Sequence, residues 1–216
     1  NKIKNFIFSS TCAVYKDGTK VVNENSKLMP KSYYGKTKLI GENFIKNKLK
    51  RNNINYAILR YFNVAGASES GKIGQITKGD QLFKNLSLVS NSQKPKISIY
   101  GKNYNTKDGT CVRDYIHVSD IANIHILVLK KINNIKNSVI LNCGYGYGIS
   151  VLEAVIQFQK QMKKKIKINY ENRRHGDMEY IIANNKKIKK FLRWKPKKNN
   201  LNRIVKSCIK WEKRFK

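Results

Sequence analysis

Tyr34 and Lys38 are the two side chains of this sequence whose types and spacing best suit proton transfer. Residues at i and i+4 of a helix project from the same face, one turn apart. An ammonium group beside a phenol stabilises the phenolate, so a tyrosine in this setting can act as a base near neutral pH. Such a pair also occurs by chance in lysine-rich helices, and it does not identify a site by itself.

Polar residues at the ends of two apolar runs give this pair a context. Thr11 follows the run from Ile3 to Ser9, and Asn63 follows the run from Ile54 to Phe62. Open α/β sheets place their active sites at the carboxyl ends of their strands. We therefore expect a hydroxyl, the Tyr–Lys pair and an amide to meet in one crevice. The alternative is that Thr11 and Asn63 only cap turns.

The elements that must position these residues alternate between short apolar strands and longer helices. Such alternation predicts an α/β protein with a largely parallel sheet. The glycines at 144, 146 and 148 are interpreted as a turn. We predict strands over 3–9 (of the buried type), 54–62, 138–142 and 166–170. We predict helices over 34–51 (N-cap Ser32), 118–132 (capped by Ser119 or Asp120), 150–163 (capped by Ser150), 185–192 and 201–214.

The formal net charge of +32 is the most unusual feature of the composition. A charge of this size raises the hypothesis of nucleic-acid binding. The lysines, however, are spread over nearly every segment, and the chain is rich in Lys, Asn and Ile together, the residues of A/T-rich codons. We therefore interpret the charge as solvated and compositional, and expect no specific nucleic-acid partner.

Cysteine usage and hydropathy bear on location and on metals. Four widely spaced cysteines without a CxxC pair indicate reduced, buried thiols. The three histidines have no metal-ligand spacing, so no metal site is predicted. No apolar stretch approaches the ~20 residues of a membrane span, and the first residues lack signal-peptide architecture. A cytoplasmic protein without a membrane partner is expected.

Six segments, in their order and spacing, resemble UDP-glucose 4-epimerases of the extended short-chain dehydrogenase/reductase family. They are FIFSSTCAVY, SYYGKTK, LRYFNVAGAS, IYGKNYNTKDGTCVRDYIHVSDIA, NCGYG and RRHGD. The resemblance covers essentially the whole chain, and DGTCVRDYIHVSD is its most specific block. It implies an NAD(P)-binding Rossmann-like, doubly wound parallel sheet whose first strands and helices are missing. Residues 1–66, with returning elements over about 110–145, would form this domain, and residues 67–109 and 146–216 a smaller α+β region that binds a UDP-sugar.

The resemblance also implies roles for the residues at the sheet edge. Tyr34 would be the catalytic base, and Lys38 would tune it and hold the nicotinamide ribose of NAD. Thr11 would hydrogen-bond the sugar 4-hydroxyl. The residues implied to lie beside the cofactor are Ser9, Ser10, Thr11, Tyr34, Lys38, Tyr61 and Phe62.

For the UDP-sugar, the resemblance implies contacts mainly from loops of the smaller region. Arg113 and Arg174 would clamp the diphosphate, for which a guanidinium fork suits better than an ammonium. Asp177 would accept hydrogen bonds from the uridine ribose. Further implied contacts are Thr11, Tyr34 and Asn63, then Gln81 and Leu82 (beside Asp80) near the diphosphate, and Ser98, Ile99 and Tyr100 around the uracil, with Tyr100 available for stacking. Alternatives are a structural pair of Arg113 with Asp114 or Asp120, and a turn role for Asp177.

The implied reaction is 4-epimerisation of a UDP-hexose through a transient 4-keto sugar, with no net redox change. A 4,6-dehydratase is disfavoured, because Cys12 and Ala13 follow Thr11 where dehydratases carry an acidic pair. A UDP-N-acetylglucosamine or uronate 4-epimerase stays open, since pocket size near Tyr180 and Ile181 governs this choice in the family. The positive field should help to attract the doubly charged sugar nucleotide.

No glycine-rich G-x-x-G-x-x-G turn, which would bind the pyrophosphate of NAD, occurs in the chain. Two hypotheses follow. The chain is a truncated piece of an active epimerase, homodimeric at full length and inactive alone, or it is a natural product without NAD binding that acts at most as a UDP-sugar-binding module. We favour the first.

Overall fold

The computed structural model of the protein describes residues 3–77, 79, 81–133 and 138–215. Within these ranges, no helix has the length and apolar character that crossing a membrane requires. The helices are α1 (Tyr33–Arg51), α2 (Leu82–Val89), α3 (Val118–Ile132), α4 (Val151–Met162), α5 (Lys186–Leu192) and α6 (Leu201–Glu212), with short 3-10 helices at Cys12–Val14 and Lys213–Phe215. The strands are β1 (Asn5–Thr11), β2 (Val21–Val22), β3 (Asn55–Tyr61), β4 (Asn63–Ala65), β5 (Lys96–Tyr100), β6 (Val112–Arg113), β7 (Tyr115–His117), β8 (Val139–Cys143), β9 (Ile149–Ser150), β10 (Lys167–Glu171) and β11 (Tyr180–Ala183).

A three-stranded parallel sheet in the order β1-β3-β8 lies under the candidate site. Its register places Thr11 beside Tyr61, and Tyr61 beside Cys143, so the three carboxyl ends share one edge. The remaining pairings of described strands are also parallel, except that between β6 and β9. The predicted α/β class with a largely parallel sheet is confirmed.

Side chains of β3 alternate between the two faces of this sheet. Ala57 and Leu59 join the main apolar core, which also contains Ile124 of α3. Arg60 points to the opposite face and binds Glu42 of α1. Because successive strand side chains point to opposite faces, α1 and α3 cover different faces of the sheet. This is the doubly wound arrangement that the resemblance implied.

The predicted bounds of helices α3 and α4 are close to the observed ones. α3 spans the predicted residues, and α4 begins with a capping box in which Ser150 and Glu153 bond each other's backbone. The predicted cap of α3 is wrong, since His117 accepts from the Ser119 backbone N–H instead of Ser119 or Asp120 serving as the cap. The predicted burial of the first run is also wrong at Ile3 and Phe6, which are exposed, and β1 lies at one edge of the described sheet.

Elements outside the β1-β3-β8 sheet surround the end of the candidate site that lies away from this sheet. α2, α4 and α6 pack on one another, and β5 pairs with β10. The four-stranded sheet β2-β11-β6-β9 adds a further wall. β5 and β6 correct the expectation that the residues at 98–100 and 113 lie in loops. The proposed division into two regions stays a prediction, and one apolar cluster includes residues of both.

Candidate active site

A cavity of about 1050 Å³ lies at the carboxyl edge of the sheet and extends towards α2 and α6. Its wall includes every residue expected to contact the UDP-sugar, although these residues are widely separated in the chain. They are Thr11, Tyr34, Asn63, Gln81, Leu82, Ser98, Ile99, Tyr100, Arg113, Arg174 and Asp177. Asp80 lies outside the described residues.

Tyr34 and Lys38 project from the first two turns of α1. Ser32 caps this helix, as predicted, by accepting a hydrogen bond from the Gly35 N–H at 3.1 Å. The Tyr34 side chain lines the cavity and is 57 % exposed. The Lys38 ammonium lies 5.7 Å from the centroid of the Tyr34 ring and donates to the Ser9 carbonyl at 2.9 Å. The lysine is therefore fixed on β1 while its charge stays beside the phenol.

Gly35 allows α1 to begin close to the turn that follows β1. A Cβ at this position would lie 2.4 Å from the Ala13 carbonyl oxygen and 2.9 Å from Cβ of Pro30. Contacts of this length are not tolerated, so the position requires glycine. The small residue between Tyr34 and Lys38 thus sets how near the pair lies to Thr11.

Thr11 caps a turn, as the alternative expected, and its contact with the sugar stays a prediction. Its hydroxyl oxygen accepts from the Ala13 N–H at 3.2 Å and caps the 3-10 helix Cys12–Val14. Thr11 also lines the cavity. The cap uses the hydroxyl as an acceptor, and its proton is left to be donated into the cavity.

Ser9 and Tyr61 belong to a chain of hydrogen bonds behind the Tyr–Lys pair. The Ser9 hydroxyl lies 2.8 Å from the Tyr61 hydroxyl, which lies 2.7 Å from Nε2 of His125. Nδ1 of His125 lies 3.0 Å from the Ile121 carbonyl, which can only accept. In the neutral ring, Nδ1 therefore carries the proton and Nε2 accepts from Tyr61. Burial raises the pKa of the Tyr61 hydroxyl above its usual value.

Ser10 is directed away from the cavity into a buried polar network. Its hydroxyl donates to Glu42 at 2.6 Å, and the Arg60 guanidinium binds both oxygens of the same carboxylate at 2.8 and 2.7 Å. Arg60 also donates to the Tyr15 hydroxyl at 2.9 Å. Burial opposes ionisation of Glu42, but the bonds from Arg60 and Ser10 outweigh it and lower the pKa of this carboxyl. The side chain of Ser10 thus anchors the fold, and its expected place beside the cofactor stays a prediction.

The opposite wall carries charged groups suited to a nucleotide. Arg113, on β6, lies 3.7 Å from the Asp177 carboxylate and donates to the Val112 carbonyl at 3.1 Å. The two alternative partners considered for Arg113 are wrong, because both carboxylates bind other groups. Asp114 accepts from the backbone N–H groups of Tyr145, Gly146 and Ala183. Asp120 accepts from the backbone N–H groups of Lys197 and Lys198 and from the Tyr145 hydroxyl.

The Arg174 guanidinium lies 3.6 Å from the centroid of the Tyr100 ring. One face of this ring is therefore covered by the cation, a favourable contact for arginine on an aromatic ring. The availability of Tyr100 for stacking is thus restricted to its other face. Tyr100 holds Arg174 over the same cavity that Arg113 lines.

The remaining expected residues take structural positions in the wall. Gln81 precedes α2 as its N-cap but makes no side-chain cap bond, and its amide oxygen accepts from Gln75 at 3.0 Å. Ser98 donates to Glu171 at 3.3 Å. Phe62 and Asn63 line the main cavity and also a smaller one of about 300 Å³, whose wall includes Ile181.

Several residues of the site were not identified from the sequence. Glu42 follows Lys38 by one further helical turn, a spacing that could have revealed it. His125, Lys84 and Glu212 give no local signal, since each meets its partners only through the fold. Among the described residues, no group of three or more metal-binding side chains is found.

Comparisons with known proteins agree with this geometry. The family model "NAD dependent epimerase/dehydratase family" matches residues 1–144. The UDP-glucose 4-epimerase of Azospirillum brasilense is 38 % identical over 98 % of this chain and 61 % of its own length. The chain thus spans less than two thirds of that relative.

Solved structures of epimerases are also similar to this chain. UDP-glucose 4-epimerase from Bifidobacterium longum, in complex with NAD+ and UDP, superposes with a TM-score of 0.92 at 32 % identity, over 98 % of this chain and 64 % of that one. The UDP-Glc/GlcNAc 4-epimerase of Campylobacter jejuni gives a TM-score of 0.78 at 38 % identity, over 98 % of this chain and 65 % of that one. Together with the family model, these similarities show that the chain belongs to the NAD dependent epimerase/dehydratase family.

Proposed function

We propose that the complete protein containing this chain interconverts the two C4 epimers of a UDP-hexose, UDP-glucose and UDP-galactose, with NAD as cofactor. One observation carries the proposal. Thr11 and Tyr34, suited to proton transfer, line the same cavity as Arg113 and Arg174, suited to a diphosphate. The relatives named UDP-glucose 4-epimerase support this choice of substrate.

The groups at the ends of β1 and α1 fit one part of NAD. The Lys38 ammonium can donate to the ribose hydroxyls, and Ser9 and Tyr61 add further hydroxyls beside it. No glycine-rich phosphate-binding turn occurs in the 216 residues. We therefore propose that this chain holds the nicotinamide riboside end, and that the pyrophosphate is held by residues outside it. When bound, NAD would supply the redox chemistry, as the acceptor and later the donor of the hydride of the sugar C4.

In the proposed mechanism, Tyr34 removes the proton of the sugar 4-hydroxyl and later returns it to the opposite epimer. The Lys38 ammonium stabilises the phenolate, and Thr11 donates a hydrogen bond to the 4-oxygen. Arg113 and Arg174 hold the diphosphate while the sugar turns over. A cavity of about 1050 Å³ leaves room for that rotation.

A UDP-N-acetylglucosamine 4-epimerase is the second candidate, supported by the similarity to the Campylobacter jejuni enzyme. Ile181 is buried and lines the smaller cavity, whose wall also includes Thr11. A uronate 4-epimerase and a non-catalytic UDP-sugar-binding module stay open as alternatives. The exposed apolar face of α1, with Ile40 at 68 % and Phe44 at 64 %, supports the proposed homodimer of the complete protein. A cytoplasmic location stays a prediction.

The test uses the protein as its gene encodes it, with any sequence that precedes Asn1. Incubation with UDP-galactose should give UDP-glucose without net NADH, and parallel assays with UDP-N-acetylgalactosamine and UDP-galacturonate should decide the sugar. A protein that binds UDP and NAD but converts none of these sugars would be a binding module, and the proposal would be wrong. The 216-residue chain alone should retain no NAD through gel filtration, whereas stoichiometric NAD would show that it suffices for binding.

A further inference from the structure

One face of α6 and the 3-10 turn after it hold the backbone of residues 67–75, which we name the 67–75 segment. The holding side chains stand at 207, 210, 211 and 214, a spacing that places them on one side of a helix. Their bonds are Ala67 N–H to the Ser207 hydroxyl (3.1 Å), Lys210 to the Glu69 carbonyl (2.7 Å), Trp211 Nε1 to the Gln75 carbonyl (3.0 Å) and Arg214 to the Gly71 carbonyl (2.6 Å).

Gly74 shows how closely this segment approaches the helix. A Cβ on Gly74 would lie 2.5 Å from Cδ2 of Trp211, so the backbone rests directly on the indole ring. The segment lines the cavity through Ile73, Gly74 and Gln75. The C-terminal helix therefore shapes a wall of the candidate site without contributing a residue predicted from the sequence.

A buried ion pair joins this wall to α2. Lys84 and Glu212 are 6 % and 2 % exposed, and the Lys84 ammonium binds the Glu212 carboxylate and donates to the Gln75 carbonyl at 2.8 Å. The Ser87 hydroxyl lies 3.4 Å from the same carboxylate. Removing one partner of a buried pair leaves an uncompensated charge, so loss of Glu212 alone should disturb α2, α6 and the backbone at Gln75 together.

The elements that the pair joins carry the residues expected at the diphosphate. Lys84 lies one turn after Gln81 and Leu82, at the start of α2. The Gln75 carbonyl accepts from both Lys84 and Trp211, while the Gln75 amide donates to Gln81 at 3.0 Å. A displacement of the pair would therefore move Gln75 and Gln81 together.

We propose that Lys84 and Glu212 are positioning residues that hold Gln75 and Gln81, in the wall of the cavity, in place for the diphosphate of the UDP-sugar. This inference rests on the proposed function. The Lys84 ammonium is paired with Glu212, so it is not counted as a ligand of the diphosphate. The pair instead acts by fixing the positions of Gln75 and Gln81. Its loss should weaken nucleotide binding and leave the proton transfer at Tyr34 largely intact.

The test compares variants of the complete protein by UDP titration calorimetry, by KM and kcat with UDP-galactose, and by hydrogen exchange of the 67–77 amides. Glu212→Gln should raise the Kd for UDP and the KM about tenfold, with kcat changed less than about twofold and faster exchange of the segment. The double variant Lys84→Met/Glu212→Leu, which leaves no unpaired charge, should recover most of the affinity. Lys206→Ala, an exposed lysine of α6, is the matched control and should behave as the parent.

The outcomes separate the two levels of the proposal. If Lys84 bound the diphosphate directly, Glu212→Gln would bind UDP as tightly as the parent or more tightly, and the double variant would bind no better than Lys84→Met; either result overturns the positioning role while leaving the epimerase proposal standing. Absence of UDP binding by the parent protein would overturn both.

Discussion

Arg60 and Arg113, on the two sides of the candidate active site, belong to different kinds of charge pair. Beneath the Tyr–Lys pair, Arg60 and Glu42 are almost fully buried and joined by two short hydrogen bonds. On the nucleotide side, Arg113 and Asp177 are 3.7 Å apart, and the Asp177 side chain is 36 % exposed. Exposed pairs contribute about 0–1 kcal/mol, whereas breaking a buried pair costs about 3–5 kcal/mol. The position of the proposed base is thus set by folding, whereas the partly exposed Arg113–Asp177 pair leaves Arg113 free to adjust to a ligand.

The largest expected effect is on catalysis, at the side of the site that holds Tyr34 and the buried Arg60–Glu42 pair. Tyr34→Phe in the complete protein should lower kcat about 10²- to 10⁴-fold, because the phenol that transfers the proton is removed. UDP affinity should stay near that of the parent. Tyr33→Phe, a change in the exposed neighbouring tyrosine, is the matched control. Turnover of Tyr34→Phe close to the parent's would refute its role as the base.

The buried pair should dominate the stability of this side. Glu42→Gln leaves the Arg60 charge buried without a carboxylate, and we expect a loss of about 3 kcal/mol in the free energy of unfolding. Urea denaturation measures this loss. Asp17→Asn, which breaks the exposed pair of Asp17 with Lys31, should cost less than about 1 kcal/mol. Equal losses in the two variants would remove the contrast between buried and exposed pairs.

Changes at Arg113, on the nucleotide side, should affect binding of the UDP-sugar more than turnover. Arg113→Ala should raise the KM for the UDP-sugar about tenfold and change kcat little, because the diphosphate loses a guanidinium. Arg173→Ala is the control, since Arg173 lies 4.1 Å from the Tyr104 ring centroid and donates to Asn103. A fall in kcat at unchanged KM would contradict a nucleotide-binding role for Arg113.

The smallest effect concerns pH. The pKa of Glu42 is lowered in the fold, so its stabilising contribution is fully present above its unfolded pKa of about 4.3 and is lost as the pH falls through the lower folded value. The difference in unfolding free energy between the parent and Glu42→Gln should therefore shrink below about pH 4. A constant difference down to about pH 3 would show that the carboxylate charge is not responsible.

Elements with clear periodicity and caps could be predicted from the sequence. α3 was placed over its observed residues, and α1 differs by one residue at its start, because their apolar spacing is long and regular. α2 was missed, since it has eight residues and its N-cap Gln81 forms no cap bond. β6 and β9 have two residues each and depend on partners that only the fold supplies.

The site divides in the same way. Thr11, Tyr34 and Asn63 could be placed at one sheet edge, because parallel strands end together. Arg113, Arg174 and Asp177 were placed by the resemblance alone. Lys84 and Glu212 are 128 positions apart, and neither stands in a local pattern, so their contact could not be predicted.

Gly35 has a consequence for anyone who redesigns this protein or traces how its sequence can change. The distance between tyrosine and lysine along the helix is robust, because any helix-forming residue preserves it. The depth of the helix over the sheet depends on a position without a side chain, facing the Ala13 carbonyl. A Gly35→Ala change is usually regarded as conservative. Here it would push the start of α1, and Tyr34 with it, away from Thr11, although Tyr34 and Lys38 themselves would be unchanged.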